Sequence, residues 1–172
     1  MVLFFYSIII LLFTLASILF VPCQGFSEEV KRGQVTKLPI PRYVSLKAKE
    51  ANARRGPSLS HKIDWIYKRE NIPLEIYAEY GNWRKVRDFE GFGGWVHYTL
   101  LSGIRYVLVK DELLDMRLLP SKDAQVIARI PQYNIATLDK CNIDWCRVTD
   151  DGYKGWVSKS GIWGVYEKEI KN

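Results

Sequence analysis

The sequence has few of the residues on which catalysis and metal binding usually depend. Of its 172 residues only two are histidine and three are cysteine. Neither histidine, His61 or His97, lies near a spaced set of Cys, Asp or Glu residues of the kind that holds a metal. The sequence also lacks a nucleophile elbow, a metal-binding helix motif and a glycine-rich phosphate loop that follows a strand. These absences argue against an enzyme, and they predict neither a metal site nor a cofactor.

The first part of the chain lacks charge. No acidic or basic side chain precedes Glu28, and residues 2–21 are almost wholly apolar. A run of about 20 apolar residues is long enough to cross a bilayer as a helix. Small residues at Cys23 and Gly25 provide a cleavage signal, although the basic start of a secretory signal is missing. Residues 1–25 are therefore predicted to be a leader helix, either a cleaved signal peptide or a retained anchor, and both export the rest of the chain.

The chain contains no dense block of basic residues. Its formal net charge is +6, but acidic and basic residues are interleaved after the leader. Such a mild basic bias suits anionic surfaces in the cell envelope, whereas a nucleic-acid-binding protein would concentrate the charge on one element. We therefore expect no nucleic-acid partner, and membrane contact only through an uncleaved leader.

No long amphipathic helical pattern follows the leader either. From Tyr43 onward, short β-prone segments alternate with Gly, Pro, Asn and Asp turns, and residues 74–80 alternate apolar and polar side chains. This pattern predicts an all-β fold of small barrels or sandwiches. Residues 26–42 show neither the periodicity of a helix nor that of a strand and are predicted to form a linker. Residues 165–172 are predicted to be a charged tail that frays.

The β-prone part of the chain contains the same pattern twice, in residues 43–103 and 104–164. Tyr43 matches Tyr106 and Trp95 matches Trp156, so the offset between matching residues falls only from 63 to 61. A nearly constant offset indicates that one supersecondary unit was duplicated. Small all-β units used in tandem are more often binding modules than enzymes.

Two of the three cysteines belong to the second repeat. Cys141 and Cys146 flank the segment Asn-Ile-Asp-Trp, which has the composition of a turn. In an oxidising compartment, cysteines at this spacing are expected to form a hairpin disulfide. Cys23 would leave with a cleaved leader.

The motifs of both repeats resemble those of a known family. Residues 52–58 read Asn-x-Arg-x-Gly-Pro-Ser, and a Trp-x-x-Val segment from Trp83 and a Gly-Trp-Val segment from Gly94 follow. This arrangement resembles the bacterial SH3 (SH3b) domain, and the leader with two such units is similar to exported SH3-domain proteins of alphaproteobacteria. Repeat two has Asp115 and Leu119 where repeat one has Asn and Gly. The resemblance implies two tandem SH3-like, partly open barrels that bind cell-wall components or peptides.

Strand geometry predicts which tryptophans face outward. Trp83 and Val86 are three residues apart, and Trp95 directly precedes Val96, so a regular strand sends each pair to opposite faces. If the valines fill the barrel, the tryptophans lie at the surface, where large aromatic rings can stack on sugar or proline-type rings. We therefore predict ligand contacts for Trp83, Trp95 and Trp145 and, from the family arrangement, for Tyr98 and Tyr67.

Two hypotheses for function remain open at this point. In the first, the protein is an exported, most simply periplasmic, binding protein that recognises a cell-wall glycopeptide or a peptide through its outward aromatic residues. In the second, the tandem units dock another envelope protein and recognise no small ligand. A cleft lined by Trp83, Tyr98 and the region of Arg84 would favour the first, and an apolar patch shared by both repeats would favour the second.

Overall fold

The computed structural model describes residues 30–172. The predicted leader, residues 1–25, and the first residues of the predicted linker lie outside this range. Within residues 30–172, no helix has the length and apolar character needed to cross a membrane.

Each repeat forms one antiparallel sheet of seven strands. The strands of the first sheet are β1 Arg42–Leu46, β2 Ala51–Arg54, β3 Ile63–Tyr67, β4 Pro73–Tyr80, β5 Trp83–Arg87, β6 Gly93–His97 and β7 Leu101–Ser102. The strands of the second sheet are β8 Tyr106–Val109, β9 Leu113–Arg117, β10 Val126–Pro131, β11 Ile135–Cys141, β12 Trp145–Asp150, β13 Tyr153–Ser158 and β14 Ile162–Trp163. A single turn of 3-10 helix, Tyr98–Leu100 or Lys159–Gly161, precedes the last strand of each sheet.

The two sheets have the same topology. The strand order is β3-β2-β6-β5-β4-β1-β7 in the first and β10-β9-β13-β12-β11-β8-β14 in the second, so each strand occupies the place of the one seven earlier. The edge strands β3 and β7 do not pair with each other, which leaves the barrel open at that seam. For residues 30–172, the prediction of an all-β fold with two tandem small, partly open barrels is confirmed; the predicted leader helix lies outside the described residues.

The glycine of each Gly-Trp-Val segment lies where two strands cross closely. A Cβ atom at Gly94 would stand 2.6 Å from the Arg54 carbonyl oxygen, and one at Gly155 would stand 2.8 Å from the Arg117 carbonyl oxygen. These distances are shorter than any normal contact, so both positions require a residue without a side chain. Gly94 thus lets β6 cross close to β2, and Gly155 lets β13 cross close to β9.

Each sheet encloses its own hydrophobic core. Val86 and Val96 in repeat one, and Val148 and Val157 in repeat two, are completely buried. The tryptophans next to them in sequence are only half-buried, as the strand geometry predicts. The Cys141–Cys146 disulfide is also present and joins neighbouring ends of β11 and β12.

The segment before β1 folds back on repeat one instead of forming a free linker. The Glu79 carboxylate accepts hydrogen bonds from the backbone N–H groups of Val35, at 3.1 Å, and Thr36, at 2.9 Å. It also accepts one from the Thr36 hydroxyl, at 2.7 Å, and pairs with Arg42 at 2.7 Å. Burial alone would raise the pKa of Glu79, but these hydrogen bonds outweigh it and lower the pKa to about 2. Glu79 therefore fastens residues 33–37 to β4.

An aromatic cluster joins the two repeats. The Tyr43 ring of repeat one lies 5.0 Å from the Trp163 ring and 4.6 Å from the Tyr166 ring. The Tyr166 hydroxyl donates a hydrogen bond of 2.9 Å to Glu75, a buried side chain of β4. Burial at this contact, reinforced by the charge of Glu75, raises the pKa of Tyr43 to about 12. We call Tyr43, Trp163 and Tyr166 the interface cluster.

The residues after β14 do not fray, contrary to the sequence-based expectation. Arg105 binds Glu169 at 2.9 Å and donates to the Gly164 carbonyl oxygen at 2.6 Å. Lys171 pairs with Cys141 through two backbone hydrogen bonds. The tail is ordered because it returns to β11 and supplies Tyr166 to the interface cluster.

Replacing Tyr166 with alanine should destabilise the protein. Loss of a half-buried aromatic ring and of its hydrogen bond to Glu75 should lower the free energy of unfolding by about 2 kcal/mol. Tyr153, which is 56% exposed, is the matched control. Tyr153→Ala should change the free energy of unfolding by less than about 0.5 kcal/mol. Urea denaturation followed by circular dichroism measures both, and equal losses would contradict a stabilising role for the interface cluster.

Glu79 should make the protein sensitive to acid. Its carboxyl has a lower pKa in the folded than in the unfolded chain, so its contribution is complete above about pH 4.5 and is lost as the pH falls toward 2. The shift corresponds to about 3 kcal/mol. Glu79→Gln should be less stable than the parent at pH 7, and the difference should shrink at pH 2.5. Urea denaturation at both pH values tests this, and a constant difference would exclude the assigned role.

Candidate functional site

The first candidate site is a groove on repeat one beside Trp83. Trp83 begins β5 and pairs in register with His97 at the end of β6. Their rings meet edge to face with centroids 5.4 Å apart. The two side chains line a cavity of about 220 Å³ together with residues from β2 and the loops around it, notably Asn52, Arg54, Leu59 and Leu100. We call this cavity the repeat-one groove.

The polar groups of the repeat-one groove are oriented by their neighbours. One guanidinium nitrogen of Arg54 donates to the His61 carbonyl oxygen at 2.8 Å. The Nδ1 atom of His97 is 2.8 Å from the Thr99 hydroxyl. The groove therefore combines an indole face with a fixed imidazole and a fixed guanidinium, which suits stacking on a ring that also carries hydrogen-bonding groups.

Repeat two also has a groove beside the equivalent tryptophan. Trp145 begins β12 and pairs in register with Ser158 at the end of β13, just as Trp83 pairs with His97. The cavity beside it is larger, about 720 Å³, and its lining includes Lys110, Lys122 and Ser160. This repeat-two groove is the more polar of the two. Duplication has therefore kept the tryptophan and changed the residues around it.

Among the other residues predicted from the sequence, Tyr67 does not lie at a surface. It is only 2% exposed, and its hydroxyl donates to the Phe92 carbonyl oxygen at 2.9 Å. Burial raises the pKa of its hydroxyl, with smaller contributions from nearby acidic groups. The expectation of a ligand contact is therefore corrected, because the ring belongs to the core of repeat one.

Tyr98 and Trp95 lie near the repeat-one groove but do not line it. Tyr98 is 49% exposed, with its ring centroid 5.1 Å from that of His97. Trp95 is half-buried on β6 and pairs with Arg54 of β2. Arg84 is buried beside Glu79, at 3.6 Å, and donates to the carbonyl oxygen of Trp83. Of the predicted contacts, Trp83 and Trp145 are the ones that line grooves.

The structure also contains an apolar cleft shared by both repeats, which is the feature expected if the tandem units dock another envelope protein. Its residues are not among the predicted contacts. The cleft has a volume of about 320 Å³ and lies between the repeats, with Phe89 of repeat one and Tyr133 and Trp163 of repeat two on its walls. We call it the inter-repeat cleft. The available signal is an aromatic residue between β-prone segments in each repeat, at positions 89 and 133, but only the packing of the repeats brings them together.

Residues 30–172 contain no group of three His, Cys, Asp or Glu side chains that is placed to hold a metal ion. The concave surfaces described above are lined by aromatic, aliphatic, basic, acidic and hydroxyl side chains.

The fold defines two tandem small, partly open barrels. A family model described as the bacterial SH3 domain matches residues 47–103 and 110–164, which make up more than half of the chain. The chain belongs to the bacterial SH3 domain family.

Comparison with individual proteins adds little beyond the family. No curated protein sequence matches the chain significantly. Among solved structures, NlpC2 from Trichomonas vaginalis is 16% identical, with 72% of this chain and 48% of that chain covered and a TM-score of 0.34. NlpC1 from the same organism is 15% identical, with 71% and 45% covered and a TM-score of 0.34. The chain thus spans about half the length of these proteins, and such low scores carry no argument about function.

Proposed function

We propose that this protein is an exported, non-catalytic binding protein of the bacterial envelope that recognises a cell-wall glycopeptide or a peptide through the repeat-one groove. One observation carries the proposal. Trp83 and Trp145 occupy the same strand position in the two repeats, and each lines a cavity. Neither takes part in the interface cluster, so packing between the repeats does not account for their place at the surface.

The repeat-one groove has the chemistry that such a ligand requires. The face of an indole stacks on the apolar face of a sugar or proline-type ring. Arg54 supplies a guanidinium that can bind a carboxylate or a carbonyl oxygen. His97, held by Thr99, supplies a ring nitrogen within the same cavity. A glycopeptide offers a ring and peptide carboxyl or carbonyl groups together.

The repeat-two groove is assigned the same role with a different preference. Its larger volume favours a longer part of the same polymer, and its lining presents both lysines, such as Lys110 and Lys122, and the carboxylates of Asp144 and Glu167 to polar groups of that polymer. Two linked grooves would raise the avidity for a polymer that repeats the same unit.

An envelope location agrees with several properties of the chain. Its disulfide is typical of oxidising compartments, and its net charge of +6 favours anionic polymers. The apolar residues 2–21 provide export, with the periplasm as the proposed location and an anchored or a secreted form as the alternatives.

Removing the groove tryptophans should weaken binding to the cell wall. The full chain in a mild detergent is incubated with insoluble peptidoglycan at low and at high salt, and the bound fraction is measured after sedimentation. We expect Trp83→Ala to bind about tenfold more weakly, which corresponds to about 1.4 kcal/mol, and Trp83→Phe to retain most of the binding because a ring still stacks. Trp145→Ala should weaken binding less.

Tyr153→Ala is the matched control, since it removes an exposed aromatic ring that lines neither groove. Its binding should equal that of the parent chain, and circular dichroism should show every variant folded. Binding that disappears with salt alone would reduce the interaction to charge attraction. Equal binding by Trp83→Ala and Tyr153→Ala would reject the groove as the site.

A further inference from the structure

The inter-repeat cleft is an apolar surface built by both repeats. The Phe89 ring centroid lies 6.4 Å from that of Tyr133 and 6.4 Å from that of Trp163. The half-buried aliphatic side chains of Ile72 and Leu108 line the same cavity. With about 320 Å³ the cleft is at the lower end of the range of ligand pockets. It has room for a few side chains and not for a folded domain.

The walls of this cleft are held in place by the contact between the repeats. Trp163 meets Tyr43 edge to face at 5.0 Å, and the Arg69 guanidinium of repeat one donates to the Tyr133 carbonyl oxygen of repeat two at 2.9 Å. Both contacts cross from one repeat to the other. Because the aromatic walls are already ordered, a ligand would lose little free energy in arranging them.

The charges at the cleft favour a basic ligand. Asp88 and Glu90 both line it. One oxygen of Asp88, Oδ1, accepts backbone N–H groups from Glu90, at 3.1 Å, and from Phe92, at 2.8 Å. Within residues 30–172 neither acid forms an ion pair. Arg69 lines the same cavity without forming an ion pair to either acid.

Burial raises the pKa of Asp88, and backbone hydrogen bonds offset part of that rise. A carboxylate that has lost part of its hydration is stabilised by a nearby cation. This position is therefore more favourable for an incoming ammonium or guanidinium group than a fully hydrated surface carboxylate.

We infer that the inter-repeat cleft binds an extended peptide segment. The segment packs an apolar side chain against Phe89, Tyr133 and Trp163 in the cavity and places a neighbouring lysine or arginine beside Asp88 and Glu90. The acidic rim is opposite in sign to the net charge of the chain, so a basic partner meets attraction here and repulsion over much of the remaining surface. This site shares the Trp163 ring with the repeat-two groove, but it does not depend on the function of either groove.

The test uses the full chain, kept in solution with amphipol, and the NMR signals of its tryptophan indole groups. Trp163 lines both the cleft and the repeat-two groove, so a shift of its signal while the Trp145 signal stays unchanged reports on the cleft. Shifts at Trp83 and Trp145 report on the two grooves. Three acetylated nonapeptides serve as probes. The first carries two leucines next to an arginine in a Gly-Ser background, the second has glutamate in place of the arginine, and the third has serines in place of the leucines.

The first probe should shift the Trp163 signal in a saturable way and leave the signals of Trp83 and Trp145 unchanged. The other two probes should bind at least about fivefold more weakly. Glu90→Gln should weaken binding of the first probe about two- to fivefold, as expected for loss of a partly exposed ion pair. Tyr133→Ala should weaken binding of this probe further. Tyr153→Ala and Trp83→Ala should leave the affinity for the first probe unchanged, which distinguishes the cleft from the repeat-one groove.

Several results would overturn the inference. A Trp163 signal that does not move, or that moves equally with all three probes, would show that the cleft does not select a basic, apolar peptide. Shifts at Trp83 in place of Trp163 would assign the peptide to the groove. A Trp163 signal that changes with protein concentration alone would show that a second copy of the chain occupies the cleft.

Discussion

The contact between the two repeats is the interaction on which the rest of the structure depends. Small barrels bury a modest fraction of their surface and are marginally stable alone. Here Tyr43, Trp163 and Tyr166 pack across the boundary, and the Tyr166 hydroxyl reaches the buried Glu75. Arg105 binds Glu169 and thereby keeps the C-terminal segment against this cluster. The contact also creates the inter-repeat cleft, because its walls come from both sheets.

The grooves follow from a different constraint, which acts within each repeat. The valines of β5 and β6 fill a narrow core, so the alternation of the strand turns the neighbouring tryptophans outward. Because both repeats obey this rule, each has a tryptophan at the mouth of a cavity. The residue opposite it is free to change, and it is His97 in one repeat and Ser158 in the other. The two repeats therefore keep the tryptophan at the same strand position and surround it with different side chains.

The sequence predicts the features that depend on local spacing, and it misses those that depend on distant contacts. The duplicated unit, the inward valines and the Cys141–Cys146 pair all follow from patterns within a few residues or from one repeated period. The attachment of Thr36 to Glu79 and the order of the tail depend on partners far away in the chain. The ligand contact predicted for Tyr67 depends on the family arrangement alone, and the structure buries this side chain in the core.

Residual dipolar couplings of the backbone amides would test the central claim most directly, because they report the orientation of each sheet in solution. The couplings of residues 42–102 and those of residues 106–163 are fitted separately against the structure. A rigid pair of repeats joined by the interface cluster predicts one alignment tensor, with the same orientation and magnitude for both sets. Two different tensors would mean that the repeats move independently. That result would contradict both a fixed interface between the repeats and a preformed inter-repeat cleft.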